Sequence, residues 1–500
     1  MISFFTGLLI ARELSPSGYG DLSFLLGSFV AVKTLLDLGT SNAFYTFISQ
    51  RPRSRSFYLF YFLWLGLQFI ITTLFLAVLT PQSLIDKVWL GHSRTVILLT
   101  FVASFMQQQV WQTISQVGES SRKTIKVQVI SQTIAVVHLV FIVLLVTYHW
   151  ISITSVLWLI IAEYVFATFW AFWFLRDNQH SNDNQVLDDC SPRRMFNDYW
   201  TYCQPLVLLS LIGFIYEFAD RWLLQRFGGA NQQGFYQVAY QFSSISLLAT
   251  TSIINVFWKE IAEAQDLQNQ ERVSAIYHRV NRGLVMIGAV LSGLLIPWTG
   301  QIVAVFLGQP YAMAVPALMI MFLYPIPQSM GQIAGTMLLA SGHTRTYTLI
   351  SISIMLVSLP LSYLILAPTT GQYVAGMGGG ATLIAAKLVL LAVLSVNILA
   401  WFIARHHKWK YDWFYQVIGI GSALLLGYLS TFIVGFFWSV HENDRQSLLL
   451  SFLATGLLYS CAVALLLFFI PGLIGMSRNE MRTVFIKLYK FISTFPDRVA

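Results

Sequence analysis

Fourteen apolar windows, separated by polar or Gly/Pro-rich clusters, run through the chain at about 1–12, 20–49, 57–79, 95–117, 127–148, 151–175, 200–226, 235–258, 281–306, 313–340, 346–367, 374–404, 414–438 and 447–474. All but the first reach the roughly 20 residues that a helix needs to cross a bilayer. In hydrocarbon an unpaired backbone N–H or C=O costs several kcal/mol, so a spanning segment is either a helix or a strand of a closed barrel. Barrel strands would read as short segments of alternating polarity, and the sequence has none. The expected fold class is therefore all-α, a polytopic membrane protein of about 14 transmembrane helices. Charge content agrees, at 10% of 500 residues against roughly 25% in soluble domains.

The net charge of +8 is a topology signal rather than a nucleic-acid patch, because the basic residues sit in short connections between apolar windows. With the N-terminus placed in the cytoplasm, 22 Lys and Arg fall on inner connections and the tail, 5 fall on outer connections, and Lys33, Arg221 and Lys387 fall within spans. The longest polar connection, Arg176 to Tyr199, follows the sixth window. It divides the chain into a six-helix lobe at 1–175, a cytoplasmic loop at 176–199, a second six-helix lobe at 200–404, a helix pair at 405–475 and a cytoplasmic tail at 476–500. Gly20, beside Tyr19 and Leu22, and Gly234, beside Phe235 and Tyr236, open equivalent spans of the two halves and mark a faint repeat. In the tail Met481, Val484, Phe485, Leu488, Phe491 and Ile492 recur at helical spacing beside Arg482, Lys487 and Lys490, the pattern of a basic interfacial helix. Gln265 to Arg282 has the same character. The first window holds only about half a span before the Glu13 to Gly20 turn, so the start at Met1 is expected to lie inside the first helix.

No nucleophile elbow, phosphate-binding Gly loop or metal-ligand cluster is present, and no cofactor or metal is expected. Cys190, Cys203 and Cys461 form no disulfide framework. His406 and His407 read as solvated loop histidines, His138 as a hydrogen-bonded core histidine, and Gly378 to Gly380 as a close-packing run. The informative residues are charges inside spans, each costing roughly 2.5–3.5 kcal/mol at a helix centre. Lys33 and Asp37 are four apart, as are Glu217 and Arg221, so each pair shares a helix face and is positioned to form an ion pair. Asp220 points about 100° away from that face. Lys387 has no acidic residue on its own helix. Three cations from three spans point to a hydrated cavity that meets an anionic group, with Asp37, Glu217 and Asp220 serving ion coupling or charge pairing, and Glu163 joining the set. Pro205, Pro297, Pro325, Pro327 and Pro360 are expected to kink their spans.

Several short motifs together resemble the polysaccharide-exporting, Wzx-type flippases of the MOP superfamily. They are Ala11-Arg12-Glu13-Leu14-Ser15-Pro16 leading to Tyr19-Gly20; Leu36-Asp37-Leu38-Gly39; Asp220-Arg221 followed by Gly234-Phe235-Tyr236; Ala340-Ser341-Gly342-His343-Thr344-Arg345; and Gly376 to Ala381. The resemblance implies a MATE-like fold, a V-shaped pair of pseudo-symmetric lobes with alternating access. It also implies an undecaprenyl-pyrophosphate-linked oligosaccharide as substrate, moved across a bacterial cytoplasmic (inner) membrane for O-antigen, lipopolysaccharide, capsule or exopolysaccharide assembly. Lys33, Arg221 and Lys387 are then the headgroup ligands. Membrane lipids, a polysaccharide polymerase and chain-length machinery are the implied partners, with no nucleic acid. The rivals are a MATE-like cation-coupled drug exporter, which would favour an acidic cavity, a membrane-embedded glycan polymerase or ligase, which would carry a large outer loop, and a non-transporting scaffold.

Overall fold

The computed structural model of the protein describes residues 1–51, 53–175, 191–244, 270–340, 343–370, 375–410, 412–437, 445–483 and 486. All regular structure among them is helical. In the first part of the chain the helices are α1 (Ile2–Asp37), α2 (Thr40–Gln50), α3 (Arg55–Leu74), α4 (Gln82–Val88), α5 (Arg94–Phe105), α6 (Trp111–Ser120), α7 (Thr124–Thr147), α8 (Ile153–Phe174) and α9 (Pro192–Leu223). After them come α10 (229–244), α11 (Gln270–Leu295), α12 (Thr299–Phe306), α13 (Val315–Met321), α14 (Pro325–Ala340), α15 (Thr344–Leu366), α16 (Ala381–His406), α17 (Phe414–Phe437) and α18 (Arg445–Phe469). Most of the 176–199 loop and most of the tail stripe lie outside the described residues.

Every apolar window contains a helix, but windows and helices do not match one to one. Among the described residues nine helices are long and apolar enough to cross a membrane, or eleven if each of two bent pairs is one span. The first two windows run together in α1, which breaks at Ser15 (φ 63, ψ 168). The proline ring at 16 removes a donor and disfavours α geometry in the residue before it. Further bends of 57° at Pro205 and 40° before Pro325 follow the same rule, whereas α14 and α15 continue through Pro327 and Pro360. Large side chains face outward along the helices, among them Phe172, Trp173, Phe432 and Phe436, each more than 70% exposed. Such apolar exteriors suit lipid rather than water, and the chain is a multi-pass membrane protein.

The chain forms two compact units, Met1–Gln237 with Met355–Ile384, and Val238–Ile354 with Ala385–Ala500. In the first, an aromatic core joins α2, α3 and α9, with Phe44 stacked on Tyr61 at 4.0 Å between ring centres and Tyr199 against Phe57 and Phe47. In the second, α11 packs along α17 and α18 through Val285, Met286, Ala289, Ala423 and Tyr459.

Candidate functional site

A cavity of about 450 Å3 lies inside the first unit, within the range of ligand pockets. Helical periodicity explains its wall. From α1 come Tyr19, Ser23, Gly27 and Val30, one stripe that continues by the same spacing to Lys33 and Asp37. α7 contributes Ser131 and His138, and α8 contributes Glu163 and Tyr164. Between α5 and α6 a single π-helical turn, Met106–Val110, widens the helix and brings Gln107, Gln108 and Trp111 to the cavity together. Such turns recur at functional sites.

The cavity's polar groups are partly linked. Glu163 is buried and its Oε2 lies 2.8 Å from His138 Nδ1, while Oε1 has no donor among the described residues. Tyr164 accepts a hydrogen bond from Gln107 Nε2 at 3.2 Å, and its ring lies 6.3 Å from that of Trp111. Amide, hydroxyl and aromatic groups on one concave wall are the donors, acceptors and flat apolar faces that a polyhydroxylated ligand engages.

Arg221, on α9, is the cavity's guanidinium. It lies over Gly27, where a Cβ would sit 2.1 Å from its Nη1 and 2.5 Å from its Cζ. The guanidinium therefore occupies the space that any other residue at 27 would fill. It makes no hydrogen bond or contact ion pair with a described residue, so its donors remain uncommitted. Just beyond it, the α1–α10 crossing is equally tight: a Cβ on Gly20 would lie 1.8 Å from the Ala230 carbonyl oxygen, and one on Gly234 would lie 2.1 Å from that of Pro16. The two glycines marked by the repeat thus meet each other.

The other sequence candidates divide. Lys33, half-buried one turn past the cavity stripe, donates to Gln112 Oε1. Asp37 caps α2 instead of joining Lys33: Oδ1 accepts from Thr40 Oγ1 at 2.9 Å and Ser41 N at 2.8 Å, and Oδ2 accepts from Ser41 Oγ at 2.8 Å. Asp37-Leu38-Gly39-Thr40-Ser41 carries the signal for this, since aspartate is a favoured cap and Leu38 and Gly39 both take left-handed geometry. Glu217 is exposed and feels the charges of Arg221 and Lys33 without touching either among the described residues. Neither intrahelical pair closes to contact among the described residues; for Lys33 and Asp37 the reason is competition, since Gln112, Thr40 and Ser41 lie nearer. Asp220 accepts from Ser362 Oγ and so ties α9 to α15. Lys387 is 2% exposed on the part of α16 that belongs to the second unit, and it does not line this cavity.

Sequence reasoning missed Gly27 and the glutamine row. Gly27 is one glycine among 32, and Gln107-Gln108-Gln109 is a polar run in an apolar window whose facing depends on an unpredictable π turn. It did note His138 and Glu163, though not that they join. His406 and His407, read as solvated, pack with His343 and Trp409, the His343 and His406 rings 4.1 Å apart.

A family model described as polysaccharide biosynthesis protein matches residues 1–258, just over half of the chain. Among solved structures, a lipid II flippase, MurJ, in an inward closed conformation aligns with TM-score 0.68 at 13% identity, over 95% of this chain and 97% of that one. An inward-facing multidrug resistance MATE family transporter of the MOP superfamily gives 0.65 at 14% identity, over 81% and 94%. A MOP superfamily transporter from Pyrococcus furiosus, noted for the reverse polarity of its binding pocket, gives 0.55 at 13%, over 81% and 91%. At these identities the likeness is one of fold. No curated protein matches the chain.

Proposed function

The chain belongs to the polysaccharide biosynthesis protein family, and from that premise we propose that it is a flippase for an undecaprenyl-pyrophosphate-linked oligosaccharide. It carries this substrate from the inner to the outer leaflet of the bacterial cytoplasmic membrane, by alternating access, to feed surface polysaccharide assembly such as O-antigen or exopolysaccharide. The observation that supports the reading most is Arg221: a guanidinium seated on Gly27 at the wall of a polar cavity, with uncommitted donors. A pyrophosphate offers paired anionic oxygens that match its planar fork. Lys33 adds a point charge one turn beyond the cavity, and Glu217 balances Arg221 and Lys33 when no substrate is bound. The glutamine and aromatic wall takes sugar hydroxyls and faces, while the prenyl chain stays in lipid. Asp37 and Asp220, held in structural hydrogen bonds, keep α2 and α15 in place. The repeat supports six-helix lobes at 1–175 and 200–404, and the charge split supports a cytoplasmic C-terminus.

The test is a deletion strain. Cells lacking the gene should lose surface polysaccharide and accumulate lipid-linked oligosaccharide shielded from a glycan-cleaving enzyme added to the outer face of spheroplasts; the wild-type gene should reverse both. Normal polysaccharide together with new sensitivity to cationic drugs would point to the exporter instead and overturn the reading.

A further inference from the structure

On the α7–α8 side of the first unit's cavity, a buried carboxylate fixes the chemistry of an imidazole. His138 follows Ser131 on α7 by two helical turns, so both line the cavity. Glu163 comes from α8, where Val156, Ile160 and Glu163 form a stripe of the same kind. The glutamate side chain is 5% exposed against 20% for His138, and its Oε1 is enclosed. The imidazole is therefore the part of the pair that a ligand reaches. Glu163 Oε2 lies 2.8 Å from His138 Nδ1. An ionised carboxylate only accepts, which assigns the proton of that bond to Nδ1. The ring's other polar atom, Nε2, is then an acceptor in the neutral imidazole. It has no partner among the described residues and, unlike Glu163 Oε1, is not enclosed.

The surfaces beside the pair suit a carbohydrate. Tyr164 follows Glu163 directly, its hydroxyl accepts from Gln107 Nε2 at 3.2 Å, and its ring lies 6.3 Å from that of Trp111. Both rings line the cavity, as does Gln108, whose amide makes no hydrogen bond with a described residue. A sugar carries hydroxyls around its edge and C–H groups on its faces, so an accepting nitrogen beside flat aromatic surfaces answers both. Arg221 lines the same cavity, which makes the sugar concerned the one nearest the pyrophosphate.

On the premise that the chain flips a pyrophosphate-linked oligosaccharide, we propose that His138 is a specificity-determining residue. Its Nε2 accepts a hydrogen bond from a hydroxyl of the sugar next to the pyrophosphate. Glu163 is the positioning residue, turning the ring toward that hydroxyl through Nδ1–H. A carrier lipid without sugar, or a sugar lacking the hydroxyl at that place, leaves the acceptor unmet, and such a site rejects the analogue.

Native mass spectrometry of the full-length chain in detergent tests this with two probes, the lipid-linked oligosaccharide extracted from the deletion strain and undecaprenyl pyrophosphate without sugar. Wild type should bind the sugared lipid more tightly. His138→Asn keeps an amide donor for Glu163 at the place of Nδ1 and removes Nε2. It should weaken the sugared lipid about three- to tenfold and shift the sugar-free lipid by less than about twofold. His138→Gln, whose amide reaches the place of Nε2, should regain part of that loss. Glu163→Ala should weaken the sugared lipid by a similar factor, and Glu163→Gln, which keeps an acceptor for Nδ1–H, should recover most of it. Thermal melting without lipid checks folding, and His138→Asn decides the matter if Glu163→Ala fails to fold. Wild-type affinity for the sugared lipid in folded His138→Asn, or an equal loss for both lipids, overturns the proposal. Equal binding of the two lipids by wild type overturns it while leaving the flippase reading in place. Binding of neither lipid by wild type sinks the flippase reading and the proposal with it.

Discussion

Replacing Gly27 with alanine moves Arg221 without changing its charge. The new methyl group would lie 2.1 Å from Nη1 and 2.5 Å from Cζ, where carbon contacts settle at roughly 3.5–4 Å, so the guanidinium must withdraw by about 1.5 Å. The obstacle is the far end of a long side chain, so the helices need not separate. Alanine also favours helix over glycine by about 1 kcal/mol, which offsets part of an overpacking cost of about 1–3 kcal/mol. Stability should therefore change by no more than about 2 kcal/mol. Function should change more, since a hydrogen bond to a charged group is worth about 1.5–3 kcal/mol and 1.4 kcal/mol is tenfold. The expected result is a transport rate about ten- to a hundredfold lower at normal membrane abundance, read as surface polysaccharide in the deletion strain and as the rate of appearance of outward-facing sugar. Wild-type transport in Gly27→Ala, with the protein at normal level, would refute the idea that the seated guanidinium meets the substrate.

Other outcomes follow from the same geometry. Gly20→Ala sets a methyl 1.8 Å from a backbone oxygen that cannot swing aside, so it should destabilise by about 3 kcal/mol or more and lower the melting temperature well beyond Gly27→Ala. Burial, with the neighbouring His406 and His343 imidazoles, pushes His407 below the usual histidine value of 6.5. The unfolded chain then binds the proton more readily, so stability contributed by neutral His407 is complete above about pH 6.5 and is lost as pH falls toward the folded value. Melting scans at about pH 7.5 and 5.5 should show that loss, smaller in His407→Gln; an equal loss in both would discard this group as the cause. Reporter fusions after Ser181 and Ala500 should both register the cytoplasm, and an outside signal at either would overturn the charge-derived topology.

What the sequence made legible was set by local physics. Apolar length and the cost of unpaired backbone groups located the helices, and Pro205 and Pro325 located two of their bends, whereas the break before Pro16 was not foreseen as a bend within one helix and α14 and α15 run through Pro327 and Pro360. Arg221 was legible because a charge inside a span needs a reason. What surrounds it was not, because Gly27 precedes it by almost 200 residues and only tertiary packing joins them. Gly20 and Gly234 were visible as a repeat, but their crossing depends on how α1 meets α10. The expected Lys33–Asp37 pair shows the limit of spacing rules: sharing a helix face permits contact, yet Thr40, Ser41 and Gln112 compete from outside the helix.

The central claim is that this chain moves a pyrophosphate-linked sugar across a bilayer and that Arg221 grips the headgroup. Its most direct measurement places the purified chain in sealed vesicles containing a fluorescent polyprenyl-pyrophosphate oligosaccharide and follows how much of the sugar an added glycan-cleaving enzyme can reach. With wild-type protein, cleavage should pass the half that faces outward at the start and approach completion. With Arg221→Gln it should stall near that half. Cleavage stalled at half with wild-type protein, or running to completion at the wild-type rate with Arg221→Gln, would contradict the account.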